Sequence, residues 1–357
     1  MPAGDRIKIG MIIPVSGPAG LFGPSSRNCA ELAAYEINKR GGILDRQIDL
    51  IYVDGGQHPS NVASVVATLV DNAVVDALIG MHDSDVRRAV IDANKARLPY
   101  IYTPTYEGGE DAPGVFAIGE TPQQQMKPVV PWLRAHRGIR QWYLIGNDYS
   151  WPRKLHAAAQ RYILDAGGHV AGQHYVPFET DDFADYIDDI GEKKPDCVLM
   201  SLVGDSSVAF NRAFAEAELF PDVLRFGPLM EENTLLAIGL ESSRNLLSAT
   251  GYFSDIDLPE NREFIRHYTD RFGVDAPVIT FLSQSCYEGL VVLEQLTRRT
   301  GTVDVKALVA ISEGLELSTP RGTTRFHNRH TIKNIYLAEA EGLGFKIIET
   351  FAQVPPL

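Results

Sequence analysis

At 357 residues the chain exceeds what one ordinary core organises, so two lobes are expected. A formal charge of -13 excludes the basic face that nucleic acid or an anionic membrane surface requires. The apolar share of 45% is that of a globular protein, and no run of about eighteen apolar residues is present to span a bilayer.

Residues 7–14, Ile-Lys-Ile-Gly-Met-Ile-Ile-Pro, read as a buried strand. Only six residues precede it, with no basic, apolar and cleavage regions of a secretory leader. Two addresses fit: a cytoplasmic protein, or a periplasmic one whose export signal has been removed. A glycine-rich loop over 16–26 leads to a helix capped by Ser25 or Ser26 and stopped at Gly41-Gly42. Strand 47–53, helix 62–70, strand 77–79, helix 83–96 and strand 99–102 follow. Strand and helix alternating at this spacing predict right-handed βαβ units on a parallel sheet.

After the Pro/Gly-rich passage 113–122 the alternation restarts. It runs through helix 123–136, strand 142–145, helix 151–166, strand 170–176, helix 183–193, strand 197–202 and helix 206–217. A strand at 247–252, helices at 261–272, 280–299 and 305–313, and a terminal hairpin of 333–341 with 345–351 close the chain. The expected fold is α/β: two doubly wound parallel-sheet lobes whose carboxyl strand ends face each other across a ligand cleft.

The stretch 142–153, Trp-Tyr-Leu-Ile-Gly-Asn-Asp-Tyr-Ser-Trp-Pro-Arg, is the centre of this pattern. A strand ending in a tight turn at a helix start presents free backbone N–H groups. Asn147 and Asp148 supply polar groups there, and Tyr149 and Trp151 supply walls. The plainer reading makes Asp148 or Ser150 the N-cap with Pro152 at the first helical position and the aromatics in the core.

No catalytic constellation emerges. Gly204-Asp205-Ser206 lacks the second glycine of a nucleophile elbow, and Ser206 reads as a helix cap. Neither a dinucleotide fingerprint nor a phosphate loop occurs. His327-Asn-Arg-His330 has metal-ligand spacing but sits in a basic turn without a carboxylate or cysteine nearby. Asp181-Asp182 and Asp188-Asp189 occupy a helix start and a solvated helix face. Cys29, Cys197 and Cys286 are odd in number and far apart, which suits buried thiols rather than disulfides or zinc.

Several stretches together resemble a known family. The opening strand with Val15-Ser-Gly-Pro18, Ala30-Glu-Leu-Ala-Ala-Tyr-Glu-Ile-Asn38, Gly41-Gly42-Ile43 and Asp54 resemble the leucine/amide-type solute-binding proteins of type I periplasmic fold. Gly146 to Arg153, Gly167-Gly168, Asp182-Phe183, Gly204-Asp-Ser, Tyr106-Glu-Gly108, Pro122-Gln-Gln124 and Tyr252 to Asn261 resemble its urea and short-chain-amide branch. That branch includes receptors of ABC importers and the cytoplasmic amide sensor that restrains an amidase-operon antiterminator.

The resemblance implies a non-catalytic receptor without cofactor or metal, whose partners are a small amide, urea or amino-acid-like ligand and an ABC permease or regulator. It implies discontinuous lobes, 5–120 with 253–327 and 121–252 with 328–357, joined by three crossovers where Gly119 and Gly251 absorb rotation. It implies ligand contacts from His82, Ser84, Tyr102, Thr103 and Thr105 in the first lobe. Tyr149, Trp151, Asp205 and Glu231 serve in the second. Amide sensors carry tyrosine where His82 stands and a different Tyr-Pro-Thr order at 102–105. Those departures, with Asp83 and Asp85 at the mouth, leave room for a larger amide or a cationic amine.

Overall fold

A computed structural model describes residues 6–219 and 222–356. The chain divides into two compact units, Met1–Gly119 with Asp257–Lys333 and Glu120–Ile256 with Asn334–Leu357.

The first run of unit 1 is β1 (Ile7–Ile13), α1 (Gly23–Lys39), β2 (Ile48–Asp54), α2 (Pro59–Asp71), β3 (Ala77–Gly80), α3 (Ser84–Asn94), β4 (Tyr100–Tyr102) and β5 (Val115–Ala117). Unit 2 follows with α4 (Pro122–His136), β6 (Gln141–Asn147), α5 (Ser150–Asp165), β7 (His169–Val176), α6 (Ala184–Lys193) and β8 (Cys197–Ser201). It continues through α7 (Asp205–Glu216), β9 (Leu224–Phe226), α8 (Glu232–Ile238) and β10 (Leu246–Thr250). The chain returns to unit 1 as α9 (Pro259–Phe272), α10 (Phe281–Thr300), α11 (Val305–Ser312), β11 (Glu316–Thr319) and β12 (Gly322–His327). Strand β13 (His330–Glu341) begins in unit 1 and runs into unit 2, where β14 (Gly344–Val354) pairs with it.

Within unit 1 the order is β2-β1-β3-β4-β5, all parallel, extended by the start of β13 and the antiparallel β12 and β11. Within unit 2 the order β7-β6-β8-β9-β10 repeats the same doubly wound scheme, with β13 antiparallel on β10. The central strands β3, β6 and β8 are short and mostly apolar, as burial on both faces demands. In each unit the connections diverge at one place, β1/β3 and β6/β8. Loops at the carboxyl ends of the strands there are where such sheets take ligands.

The structure also adds elements and moves some caps. β5 lies inside the passage read as Pro/Gly-rich loop, and β9, α8, β11 and β12 fall outside the predicted elements. All are short, and β12 alternates buried and exposed residues in a polar sequence that carries little hydrophobic signal. Helix α1 starts at Gly23 with Phe22 as N-cap, and the Ser26 hydroxyl donates back to the Phe22 carbonyl rather than capping. Helix α5 starts at Ser150 with Tyr149 as N-cap and no side-chain cap, so Pro152 is its third residue. Asp148 pairs with Arg153 instead, at 2.6 Å. Gly119 is needed for close approach: a Cβ there would sit 1.7 Å from the Pro104 carbonyl oxygen.

Candidate functional site

In unit 1 the loop after β3 delivers His82, Asp83 and Ser84. Burial pushes the His82 imidazole down to about 4, so it is neutral at ordinary pH. Its Nδ1 lies 3.0 Å from the Asp83 carbonyl and donates to it; Nε2 therefore accepts the Tyr100 hydroxyl at 2.9 Å. Both ring nitrogens are thus used inside the unit. The Asp83 carboxylate caps α3, accepting from the Asp85 and Val86 amides at 2.8 Å each. Asp85 pairs with Arg88. The two acids read as counter-charges for a cationic amine are therefore engaged locally.

Tyr102 joins the buried core cluster of the unit. Its hydroxyl donates to the His82 carbonyl at 2.7 Å, and the Arg87 guanidinium lies 4.9 Å from its ring centre. Arg87 in turn holds Glu107 at 2.9 Å and Glu110 at 3.1 Å. The ring expected as a pocket wall is part of a packed aromatic and charged network. Ser84 is the buried first residue of α3, its hydroxyl next to the Tyr102 phenol. Thr103 donates to the Gly80 carbonyl at 3.3 Å and accepts from Ser285 of α10 at 2.9 Å, and Thr105 is buried just beyond it.

In unit 2 the loops after β6 and β8 are joined by one side chain. The Asn147 amide donates to the Pro177 carbonyl at 3.1 Å and to the Ser206 hydroxyl at 3.2 Å, and its oxygen accepts the Val203 amide at 2.8 Å. Asn147, expected to orient a ligand, is spent fastening three loops at the divergence of the sheet. Ser206 is buried within α7 and its hydroxyl donates to the Phe178 carbonyl at 2.6 Å. The cap position belongs to Gly204, whose φ of +52° favours glycine. Asp205 is the exposed first residue of α7, suited to the helix dipole.

Beside this joint stands an aromatic group. The half-buried Tyr149 ring lies 4.9 Å from Phe178 and 6.4 Å from Trp151, centre to centre. Phe178 was absent from the sequence reading; an aromatic two residues past a strand end was its only trace. Trp151 is 1% exposed, and its indole N–H has no hydrogen-bond partner among the described residues. A buried unpaired donor costs about 1–3 kcal/mol. An acceptor brought by a ligand would recover it.

Glu231 is a cap. Its carboxylate accepts from the Asn233 and Thr234 amides at 3.0 and 2.7 Å and from the Thr234 hydroxyl at 2.6 Å. Burial pushes Glu231 up to about 7 and Glu232 up to about 8, the latter also through the adjacent Glu231 charge. Folded values above the unfolded ones mean that this pair favours folding below the ordinary carboxylate range. That contribution is lost as pH rises through 7–8. The melting temperature of Glu232→Gln relative to the parent should therefore climb between pH 5 and pH 8; an unchanged difference would place both groups in a wetter setting.

The pair most like a nucleophile and base is Ser201 with His156, Oγ to Nε2 at 2.8 Å. Both are fully buried, and burial pushes His156 down to about 3. Neither side chain reaches the surface. The histidines of the 327–330 turn also part company: His327 lies 2.9 Å from Glu313, and His330 meets the Tyr106 hydroxyl. All three cysteines are free and buried.

The chain is similar to several known proteins. The chain is 32% identical over 99 residues to the Leu/Ile/Val-binding protein BraC3 of Rhizobium johnstonii, a match covering 28% of this chain and 27% of that protein. It is 22% identical over 321 residues to Leu/Ile/Val-binding protein homolog 7 of Brucella abortus, covering 84% of this chain and 79% of that one. A solved solute-binding protein of an ABC transporter from Rhodopseudomonas palustris, in complex with p-hydroxybenzoic acid, superposes with a TM-score of 0.90. That similarity covers 99% of this chain and 98% of the other at 23% identity, and shows a shared fold. The periplasmic binding protein family model matches residues 6–344, and the chain belongs to that family.

Proposed function

We propose that the protein is a non-catalytic, exported receptor that binds a small organic solute by its carboxylate or carboxamide group and hands it to an ABC permease. The observation that carries this reading is the buried, unpaired indole N–H of Trp151 beside the Tyr149 and Phe178 rings at the carboxyl edge of the unit 2 sheet. A carbonyl or carboxylate oxygen would satisfy that donor, and the rings would cover the attached apolar group. The relatives' names supply the candidates. Branched-chain amino acids and hydroxybenzoate share this oxygen with the short-chain amides and urea to which the sequence motifs point.

Thermal shift with isoleucine, benzoate, 4-hydroxybenzoate, acetamide and urea tests the reading, since a ligand specific to the folded state raises the melting temperature. At least one compound should do so. Trp151→Phe, which keeps a ring and removes the donor, should then weaken that ligand about tenfold. Tyr149→Ala should weaken it while leaving the fold intact. No binder in the series, or full affinity in Trp151→Phe, would overturn the assignment.

A further inference from the structure

Unit 2 carries a groove of about 570 Å³ between α6 and α7, whose lining begins three residues after Phe178. Its floor is built from small or apolar side chains: Phe183 and Ile187 are buried, while Ala209 and Ala213 are half-buried and Ala217 is exposed. The three alanines recur every fourth residue, two on α7 and the last as its C-cap, so they form one ridge low enough for another backbone to approach closely. The rim is acidic. Asp181, Asp182, Asp188 and Glu216 are all exposed.

These carboxylates differ from Asp189 of α6. Asp189, one residue on, is held by Lys193 at 2.7 Å and by the Tyr143 hydroxyl at 2.8 Å. None of the four rim acids enters an ion pair among the described residues, and Asp182 alone has a hydrogen bond, accepting the Ala184 amide at 3.0 Å. The one basic residue of the lining, Arg212, turns its guanidinium to the Ala237 carbonyl on α8. An apolar trough flanked by uncompensated negative charge is thus left open.

We propose that this groove docks a basic helix of a partner protein, one with small side chains on its buried face and lysine or arginine along both flanks. The alanine ridge sets the close approach of the helix, and the four carboxylates set its charge. The inference is independent of the solute and of the residues that take it.

Fluorescence anisotropy with a labelled lysine–alanine helical peptide, and with its glutamate–alanine counterpart as control, provides the test. The basic peptide should bind and the acidic one should not, and binding should weaken with added salt. Ala217→Trp adds bulk at an exposed position without changing charge and should weaken binding at least tenfold. Ala213→Trp should do the same, with its folding checked by circular dichroism. Asp181→Lys with Asp188→Lys should also weaken it at least tenfold. Asp92→Lys with Asp275→Lys, the same charge change on exposed acids of unit 1, should leave it within about threefold, the residue of screened long-range attraction. Absence of binding, indifference to both tryptophan substitutions, or equal losses from the two charge reversals would overturn the proposal.

Discussion

Glu288→Ala is expected to lower the unfolding free energy by about 3–5 kcal/mol. The Glu288 carboxylate lies 2.5 Å from the Arg321 Nε, and each side chain is only 1% exposed. Gln284, one turn earlier on α10, completes the arrangement. Its Oε1 accepts from Arg321 at 3.2 and 2.7 Å, and its amide donates to Glu288 at 3.3 Å. Alanine at 288 removes the counter-charge and leaves the guanidinium in the interior of unit 1. Burying an ion without that compensation is what makes the single change severe. Removing both charges together avoids it, so Glu288→Leu with Arg321→Met should be milder than Glu288→Ala despite altering more atoms. Urea unfolding of the two variants decides the matter. A Glu288→Ala protein within about 1 kcal/mol of the parent, a loss typical of a surface pair, would mean the ion pair is solvated.

The other large effect belongs to unit 2 and has a different basis. Arg225 is fully buried, and no carboxylate pairs with it among the described residues. Its guanidinium donates to the carbonyls of Ser242, at 2.8 Å, and Arg244, and to the Asn211 side-chain oxygen. It also lies 4.7 Å from the centre of the Phe214 ring. Arg225→Ala strips donors from three acceptors at once, each worth about 1–3 kcal/mol when left unpaired in the interior. A net loss of about 3–5 kcal/mol is expected, since part is relieved by local adjustment or water entry. Arg225→Met retains the contact with Phe214 and should recover a measurable fraction in the same urea titration. Equal losses for both substitutions would assign the whole effect to hydrogen bonding.

Much of the fold was legible because burial on both faces of a parallel sheet writes itself into runs such as Ala77–Gly80 and Cys197–Ser201, separated by helical periodicity. Strand order was not legible, since periodicity reports which side chains are hidden and not which strand lies beside which. Short polar strands such as β12 escaped for the same reason. The site was readable in residue type and placement, less so in employment. His82, Asn147 and Glu231 stood where ligand contacts were expected, yet their polar atoms are engaged by Tyr100 and Asp83, by the loops around Ser206, and by the α8 amides. Each of those partners is distant in sequence or belongs to the backbone, and spacing carries no record of either. Trp151 is the reverse case: it was expected as an apolar wall, and only the accounting of its N–H adds a polar role.

The three-way hold of Asn147 has a bearing on how tightly unit 2 can grip a solute. With Pro177, Val203 and Ser206 tied to one amide group, the segments that carry Phe178, Tyr149 and Gly204 form a single rigid platform before any guest arrives. The loss of loop freedom is then settled during folding, so association need not supply it. On the proposed reading, such a surface would select among solutes by shape and give up little of its binding strength to rearrangement.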